Sequence, residues 1–313
     1  MMNNPKVLLI LSLFNGEKYL REQIDSILCQ EGVDVYFSIR DDGSTDNSWS
    51  IINDYKSKYP DKFIILIRGD NIGPLKSIEE LLSQASNTEF DYYAFSDQDD
   101  YWLPQKLIKG VNAIDKMKAD KPRFYFSNLT ITDKDLNPRF NAYGKRDVTP
   151  TPSACFVDFR ASGNTYIMDR KALDLISESN PPEHIYADVL YCFLCIFMGN
   201  VKYDETPYIL FRRTGENASG KREKGLKLTW MRLKKLRNLL AYEDDAMRME
   251  MAKHMLLLYR NQLDKEKIDI LETIANYQKS FAVKLKLIFS PKIKSRSLSR
   301  NFHMAVRVIL NQF

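Results

Sequence analysis

Hydrophobic and polar positions alternate in blocks along the first 130 residues, and the blocks change period in a regular order. Lys6 to Leu13 is a continuous apolar run, the pattern of a strand buried on both faces. Glu17 to Gln30 then carries Leu20, Ile24, Ile27 and Leu28 at i, i+4, i+7 and i+8, which predicts an amphipathic helix. Val35 to Arg40 reads as a second strand, and Asp46 as the N-cap of a helix with Trp49, Ile52 and Tyr55 on one face. Phe63 to Ile67 is a third strand, and Asn71-Ile72-Gly73-Pro74 interrupts the chain before a helix through Leu82. Asp91 to Ser96 is a fourth strand, and Pro104 takes the first-turn position of a helix reaching about Met117. Repeated strand–helix units predict an α/β fold, a mostly parallel sheet flanked by helices. In such sheets ligands bind beyond the carboxyl ends of the strands.

The next hundred residues are less regular. Arg123 to Ser127 and Thr165 to Met168 read as strands, Arg170 to Ile176 and Ala187 to Met198 as helices, and Tyr208 to Arg212 as a short strand. From Gly225 the pattern turns helical and basic, which puts a boundary near residue 220, in Ser219-Gly220-Lys221-Arg222-Glu223-Lys224-Gly225. Apolar stripes follow: Leu233, Leu236 and Leu240; Met247, Met251, Met255 and Leu258; and Phe302, Val306, Ile309, Leu310 and Phe313 on the last helix. Phe281 to Phe289 interleaves Lys284 and Lys286 with apolar residues.

Charge divides along the same line. The chain of 313 residues has a net charge of +5. Residues 1–220 hold 25 Lys and Arg against 32 Asp and Glu, whereas residues 221–313 hold 21 against 9. An acidic body with a basic tail points to an anionic partner for the tail. Basic amphipathic helices suit an anionic membrane surface; the same residues also suit a helical cap or a dimer partner. No nucleic-acid motif accompanies them, so nucleic acid is not an expected partner. A 44% hydrophobic, 28% charged composition excludes disordered and low-complexity classes. No stretch reaches the roughly 18 apolar residues of a spanning helix, and Val7 to Leu11 is too short for a signal-peptide core. The expectation is a cytoplasmic protein. The four scattered cysteines agree with a reducing compartment, and Cys192 and Cys195 read as core thiols on one helix.

The candidate chemistry lies at two strand ends, Arg40-Asp41-Asp42-Gly43-Ser44 and Ser96-Asp97-Gln98-Asp99-Asp100. Three carboxylates within four positions repel one another, and a hard divalent cation with oxygen ligands is a natural compensator. An exposed acidic turn is the alternative. Two such ends in one sheet are what a nucleotide site with a metal-bridged diphosphate requires. Neither a G-x-G-x-x-G nor a G-x-x-x-x-G-K-[ST] loop is present, which argues against Rossmann dehydrogenases and P-loop enzymes.

Taken in order, Ser12-Leu13-Phe14-Asn15-Gly16, Asp41-Asp42-Gly43-Ser44-Thr45-Asp46, Asn71-Ile72-Gly73 and Ser96-Asp97-Gln98-Asp99-Asp100-Tyr101-Trp102 resemble the motifs of family 2 glycosyltransferases of the GT-A fold. The flavour is that of the bacterial rhamnosyltransferase-like branch that builds surface polysaccharides. The resemblance covers about residues 5–220. It implies a catalytic domain over 1–220, with a nucleotide-sugar half at about 1–120 and an acceptor half at about 121–220, followed by a basic helical extension over 221–313.

The resemblance also implies roles. Ser12 and Phe14 would line base and ribose, and Asp42 with Asp41 would accept a hydrogen bond from the base. Asp97-Gln98-Asp99 would be the D-x-D motif, with Asp99 on a Mn²⁺ or Mg²⁺ ion and Asp97 on metal, nucleotide or ribose. Asp100 would orient metal-bound water or cap the next helix. Gly163, Asn164 and Thr165 would lie on the acceptor side, and Asp188, in Tyr186-Ala187-Asp188-Val189, would be the catalytic base. Arg212 and Arg213 would contact the diphosphate, or else sit on an edge strand as surface residues. Many relatives have His where this chain has Thr214, and often His where it has Ala187. His184 reads as surface or structural. The implied activity is inverting, metal-dependent transfer from a nucleotide-sugar, dTDP-rhamnose first, to a lipid-linked or growing glycan at the inner membrane face. A non-catalytic scaffold that binds nucleotide-sugars is the alternative.

Overall fold

The computed structural model describes residues 4–144, 148, 150–158, 161–182, 185, 187–214 and 247–313. His184, Tyr186, the segment from Gly215, the 219–225 boundary and the Leu233, Leu236 and Leu240 stripe lie outside the described residues. The chain divides into two compact units, residues 1–149 with 160–213, and residues 150–159 with 214–313.

The first unit is built on one sheet. Strands β1 (Lys6–Leu13), β2 (Asp34–Asp41), β3 (Phe63–Arg68) and β4 (Tyr92–Ser96) alternate with helices α1 (Leu20–Leu28), α2 (Ser48–Lys58) and α3 (Pro74–Ala85). After β4 come β5 (Tyr101–Trp102), α4 (Lys106–Asp115), β6 (Arg123–Thr132), β7 (Pro138–Asn141), β8 (Ile167–Met168), α5 (Arg170–Ser177), α6 (Ala187–Met198) and β9 (Asn200–Arg212). The order across the sheet is β3-β2-β1-β4-β8-β6-β9-β5, with β7 beside β6. The run β3-β2-β1-β4 is parallel, and β8, β5 and β7 enter antiparallel.

The apolar runs explain the centre of this sheet. Val7 through Leu11 are all fully buried because helices cover both faces of β1. Leu20, Ile24 and Ile27 of α1 and Ile52 of α2 are fully buried in the same core, each contributing roughly 1.5–3 kcal/mol. Cys192 and Cys195 are buried one turn apart on α6.

Register brings the functional loops together. Leu13 pairs with Asp41, Leu11 with Ser96, and Asp41 with Arg68. The loops after β1, β2, β3 and β4 therefore leave one edge of the sheet side by side. On the other side Thr132 pairs with Arg212 and Leu210 with Tyr101, so the end of β9 arrives beside the loop after β4.

Several boundaries differ from the pattern-based expectation. The N-cap position of α2 is Asn47, not Asp46; the Asp46 carboxylate accepts instead from the amides of Ser48 and Glu17 (2.9 and 3.0 Å). Helix α4 starts at Lys106, two residues after Pro104. Strand β9 runs 13 residues rather than the five from Tyr208, because a register shift between Ser127 and Asn128 of β6 absorbs the turn-like Asp204-Glu205-Thr206-Pro207.

The second unit contains helices Met247–Tyr259, Lys265–Ala275, Phe281–Phe289 and Leu298–Ile309. Met251 and Met255 are fully buried, as a core stripe requires. The last helix departs from expectation. Met304 and Val308 form its buried side, while Phe302, Ile309 and Leu310 are exposed; of the predicted stripe, only Phe313 is buried. No helix of the described residues is long and apolar enough to cross a membrane.

Candidate active site

Two acidic strand ends sit at the carboxyl edge of the sheet. At the end of β2, Asp42 is 2% exposed and both of its oxygens are occupied. It pairs with the guanidinium of Arg40 and accepts the amides of Ile72 and Gly73, each at 2.9 Å. Arg40 also reaches Glu80 (2.6 Å) and the carbonyl of Asp70 (3.1 Å). Asp42 thus holds the 69–73 loop in place. Gly43 makes that approach possible: its φ is +79°, and a Cβ there would lie 2.9 Å from the Asn71 nitrogen. Asp41 is fully buried and differs from Asp42. Its Oδ1 accepts the Ser44 amide (3.1 Å), whereas Oδ2 makes no hydrogen bond and has Arg68 Nε at 3.4 Å, in ion-pair range.

The loop after β1 is tied to both acidic ends. Asn15 donates its amide to Ser44 Oγ and accepts the Thr45 amide; Gly16 donates to Ser48 Oγ. Gln98 closes the other side. Its Oε1 accepts the Phe14 amide (2.8 Å) and its Nε2 donates to the Phe14 carbonyl (2.9 Å). The Phe14 ring is 44% exposed. Ser12 Oγ meets Ser77 Oγ at 2.9 Å.

At the end of β4 the carboxylates are compensated less well. Asp97 lies in an open recess, exposed to solvent yet crowded by protein around it. Among the described residues its carboxylate receives no hydrogen bond. Loss of surrounding water, then Asp99 and Asp188, push its carboxyl up to about 7. Asp99 is raised by burial and partly relieved by Arg212. Asp188, in the first turn of α6, is also raised by burial, against the stabilising amide of Val189 at 2.9 Å.

Asp100 neither faces the recess nor caps the next helix. It is fully buried, takes the side-chain amide of Asn164 on one oxygen and the Arg212 amide on the other (3.3 Å), and Gln105 holds the N-cap position of α4. Burial and the charges of Asp97 and Asp99 hold its carboxyl well above the usual range. Lys106 feels the charge of Asp100. That side chain is also fully buried; its Nζ lies 3.4 Å from the centre of the Trp102 ring, with no hydrogen-bond partner. Burial holds Lys106 well below the ordinary lysine range, against the pull of Asp100.

Arg212 is not a surface residue of an edge strand. It is 3% exposed and committed to the protein: Nε to the Asp99 carbonyl (2.9 Å), Nη1 to the Lys134 carbonyl (2.6 Å), Nη2 to Glu22, and its face over Tyr19 at 4.3 Å. Arg213 is half-buried, over the Phe211 ring. Asn164 and Thr165 are buried at 2% and 0%, and Thr165 Oγ1 donates to the Ser162 carbonyl (2.7 Å). These two side chains face the protein interior and not an acceptor. Gly163 is the member of that trio beside the recess: a Cβ on it would lie 3.5 Å from Asp188 Cβ.

The recess therefore gathers Asp97, Asp99 and Asp188 over a buried layer of Asp100, Asn164, Arg212 and Lys106. No three His, Cys, Asp or Glu among the described residues are grouped to hold an ion unaided. Two hard carboxylates, one without a hydrogen-bond partner, do fit a divalent cation that takes its remaining ligands from phosphate oxygens and water. Gln98, Glu22 and Lys106 carry roles that pattern reading did not assign. A lone polar residue gives no periodic signal, and their partners are distant in sequence.

Residues 9–170 match the family model described as Glycosyl transferase family 2. The dTDP-rhamnosyl transferase RfbG of Shigella flexneri is 29% identical over 218 residues, 67% of this chain and 73% of that protein. The Escherichia coli protein WfaP, a UDP-Glc:alpha-D-GlcNAc-diphosphoundecaprenol beta-1,3-glucosyltransferase, is 31% identical over 130 residues, 42% of this chain and 48% of its own. Among solved structures, S. aureus TarS 1-349 in complex with UDP-GlcNAc shares the fold, with a TM-score of 0.55 at 18% identity, over 98% of this chain and 82% of that one.

Proposed function

The chain belongs to glycosyl transferase family 2, and on that premise we propose that it transfers a sugar, with inversion, from a nucleoside diphosphate donor to a glycan or lipid-linked acceptor. The observation that carries this reading is the Asp97–Asp99–Asp188 recess, where carboxylates converge without enough positive charge to balance them.

Asp188 is the base. Its raised affinity for protons suits a group that must take one from an acceptor hydroxyl as that oxygen attacks the anomeric carbon. Its place in the first turn of α6, beside Gly163, leaves room next to it for that acceptor. Asp97 and Asp99 hold the divalent ion, Mn²⁺ or Mg²⁺. Bound there, that ion supplies positive charge to the leaving diphosphate. Both oxygens of Asp42 are in use, so of the pair Asp41 keeps an oxygen, Oδ2, without a hydrogen bond, and its buried carboxylate has to turn outward from Arg68 to accept one from the base. A pyrimidine imide N–H is a donor of the right kind for it. The exposed Phe14 ring offers a face to the base, and Ser12, bonded to Ser77, lines the base and ribose with it. Arg212 acts by holding the loop after β4 rather than by gripping phosphate.

The donor proposed first is dTDP-rhamnose, on the strength of the similarity to RfbG; UDP-sugars come next. The test is a thermal-shift screen of nucleoside diphosphates and their sugars with and without Mn²⁺, followed by transfer assays. A metal-dependent shift with one nucleotide is expected, because ligand bound only to the native state raises its stability. Asp99→Ala should remove that metal dependence. Asp188→Asn should keep the donor-induced shift and lower transfer by about 10²–10⁴-fold. Retained transfer in Asp188→Asn would overturn the base assignment, and no shift with any nucleotide would overturn the donor site.

A further inference from the structure

Two C-terminal helices turn apolar side chains outward. On Phe281–Phe289 the inward position belongs to Leu287, which is fully buried. The opposite side carries Phe281, Leu285 and Phe289 at i, i+4 and i+8, exposed by 68%, 38% and 71%. On Leu298–Ile309 the inward residues are Met304 and Val308, and the outward line is Leu298, Phe302 and Ile309, exposed by 86%, 68% and 57%. The helices pack against one another, and Lys284 of the first donates to the Ile309 carbonyl at the end of the second (3.3 Å).

A surface helix ordinarily keeps its polar face toward water. Here aromatic and aliphatic side chains occupy that face on both helices, which marks an interaction surface. Residues 276–313 contain eight Lys and Arg and no Asp or Glu; Asp269 pairs with Lys286 and Lys292 and Asp158 with Arg300, which leaves the segment with a net excess of positive charge. Outward Phe and Leu beside Lys and Arg are the two requirements of a helix lying in a lipid interface. The apolar side chains enter the acyl boundary, and the cations meet headgroup phosphates. At 9 and 12 residues, the helices fall short of the roughly 20 residues needed to span a bilayer.

We propose that this face docks on an anionic lipid bilayer, with both helices in the plane of the interface. A second copy of the chain is a poorer occupant, because it would bring a second set of like charges against the first. The proposal rests on these helices alone and not on the transferase reading, and its test measures no turnover.

The full chain is sedimented with vesicles of phosphatidylcholine and phosphatidylglycerol, and with pure phosphatidylcholine vesicles, at low and high salt. Binding is expected to the anionic vesicles and to weaken with salt. The triple variant Phe281→Gln, Phe289→Gln, Phe302→Gln leaves the buried Leu287, Met304 and Val308 untouched. It should keep the wild-type melting temperature and partition about tenfold less or weaker still. Lys279→Gln with Lys294→Gln should weaken partition a few-fold and flatten its salt dependence. Four results each overturn the proposal: no binding of wild type, equal binding to neutral vesicles, unchanged binding of the triple variant, or a wild-type dimer that the triple variant converts to a monomer.

Discussion

The two acidic strand ends carry nearly the same residues and solve opposite problems. At the end of β2, Asp42 is enclosed by Arg40 and two backbone amides, and its charge is spent on fixing a loop. At the end of β4, Asp97 has neighbours of its own sign and no hydrogen-bond donor among the described residues. The fold itself supplies the counter-charge of Asp42, whereas Asp97 is left without one. Acid density in a sequence therefore says little by itself; what distinguishes a structural carboxylate from a ligand-binding one is whether the fold supplies its counter-charge.

That contrast can be broken at its strongest point first. Arg40→Met strips Asp42 of its cation while keeping the volume, and should cost about 3–5 kcal/mol of stability in urea unfolding. A loss under 1 kcal/mol would mean that the two amides suffice, and that the clusters differ less than the geometry implies. Gly43→Ala forces a Cβ toward the Asn71 nitrogen at a positive φ and should cost about 1–3 kcal/mol. Donor binding should weaken with it, since the 69–73 loop must move.

Proton linkage sharpens the other side. Asp97 holds its proton more tightly in the folded chain, to about 7, than an unfolded aspartate near 3.8. Between those two values the folded state binds more protons than the unfolded one, so stability falls as pH rises and levels off above about 7. Asp97→Asn removes that fall. Relative to wild type the variant should gain in urea midpoint from pH 5 to pH 8, the reverse of the loss caused by Arg40→Met. A constant difference across that range would show that Asp97 titrates normally. The smallest effect belongs to Phe14→Ala. An exposed ring should leave stability within about 0.5 kcal/mol while raising the donor KM.

The sheet that presents both clusters was legible because β1 and β4 are buried on both faces and β2 nearly so, and such strands are rich in apolar residues; the edge strand β3 kept the same apolar signature although Ile64 is exposed. Strands β5 and β7 were not. One has two residues, and the other exposes all four of its positions, so neither carries a period. The strand-end acids were visible as well, yet their division of labour was not. It depends on Asn164 reaching Asp100 across 64 positions and Arg212 reaching it across 112. The same distance effect hid the burial of Lys106, a residue that local pattern reads as an ordinary helical cation.

The double hydrogen bond between Gln98 and the backbone of Phe14 makes one side chain the spacer between the loops that follow β1 and β4. Its amide group fills the place where Gly16 would carry a Cβ, 2.9 Å from Gln98 Cδ. A bulkier residue at 16 would therefore be felt first not at its own loop but at the carboxylates on the far bank, as a change of span.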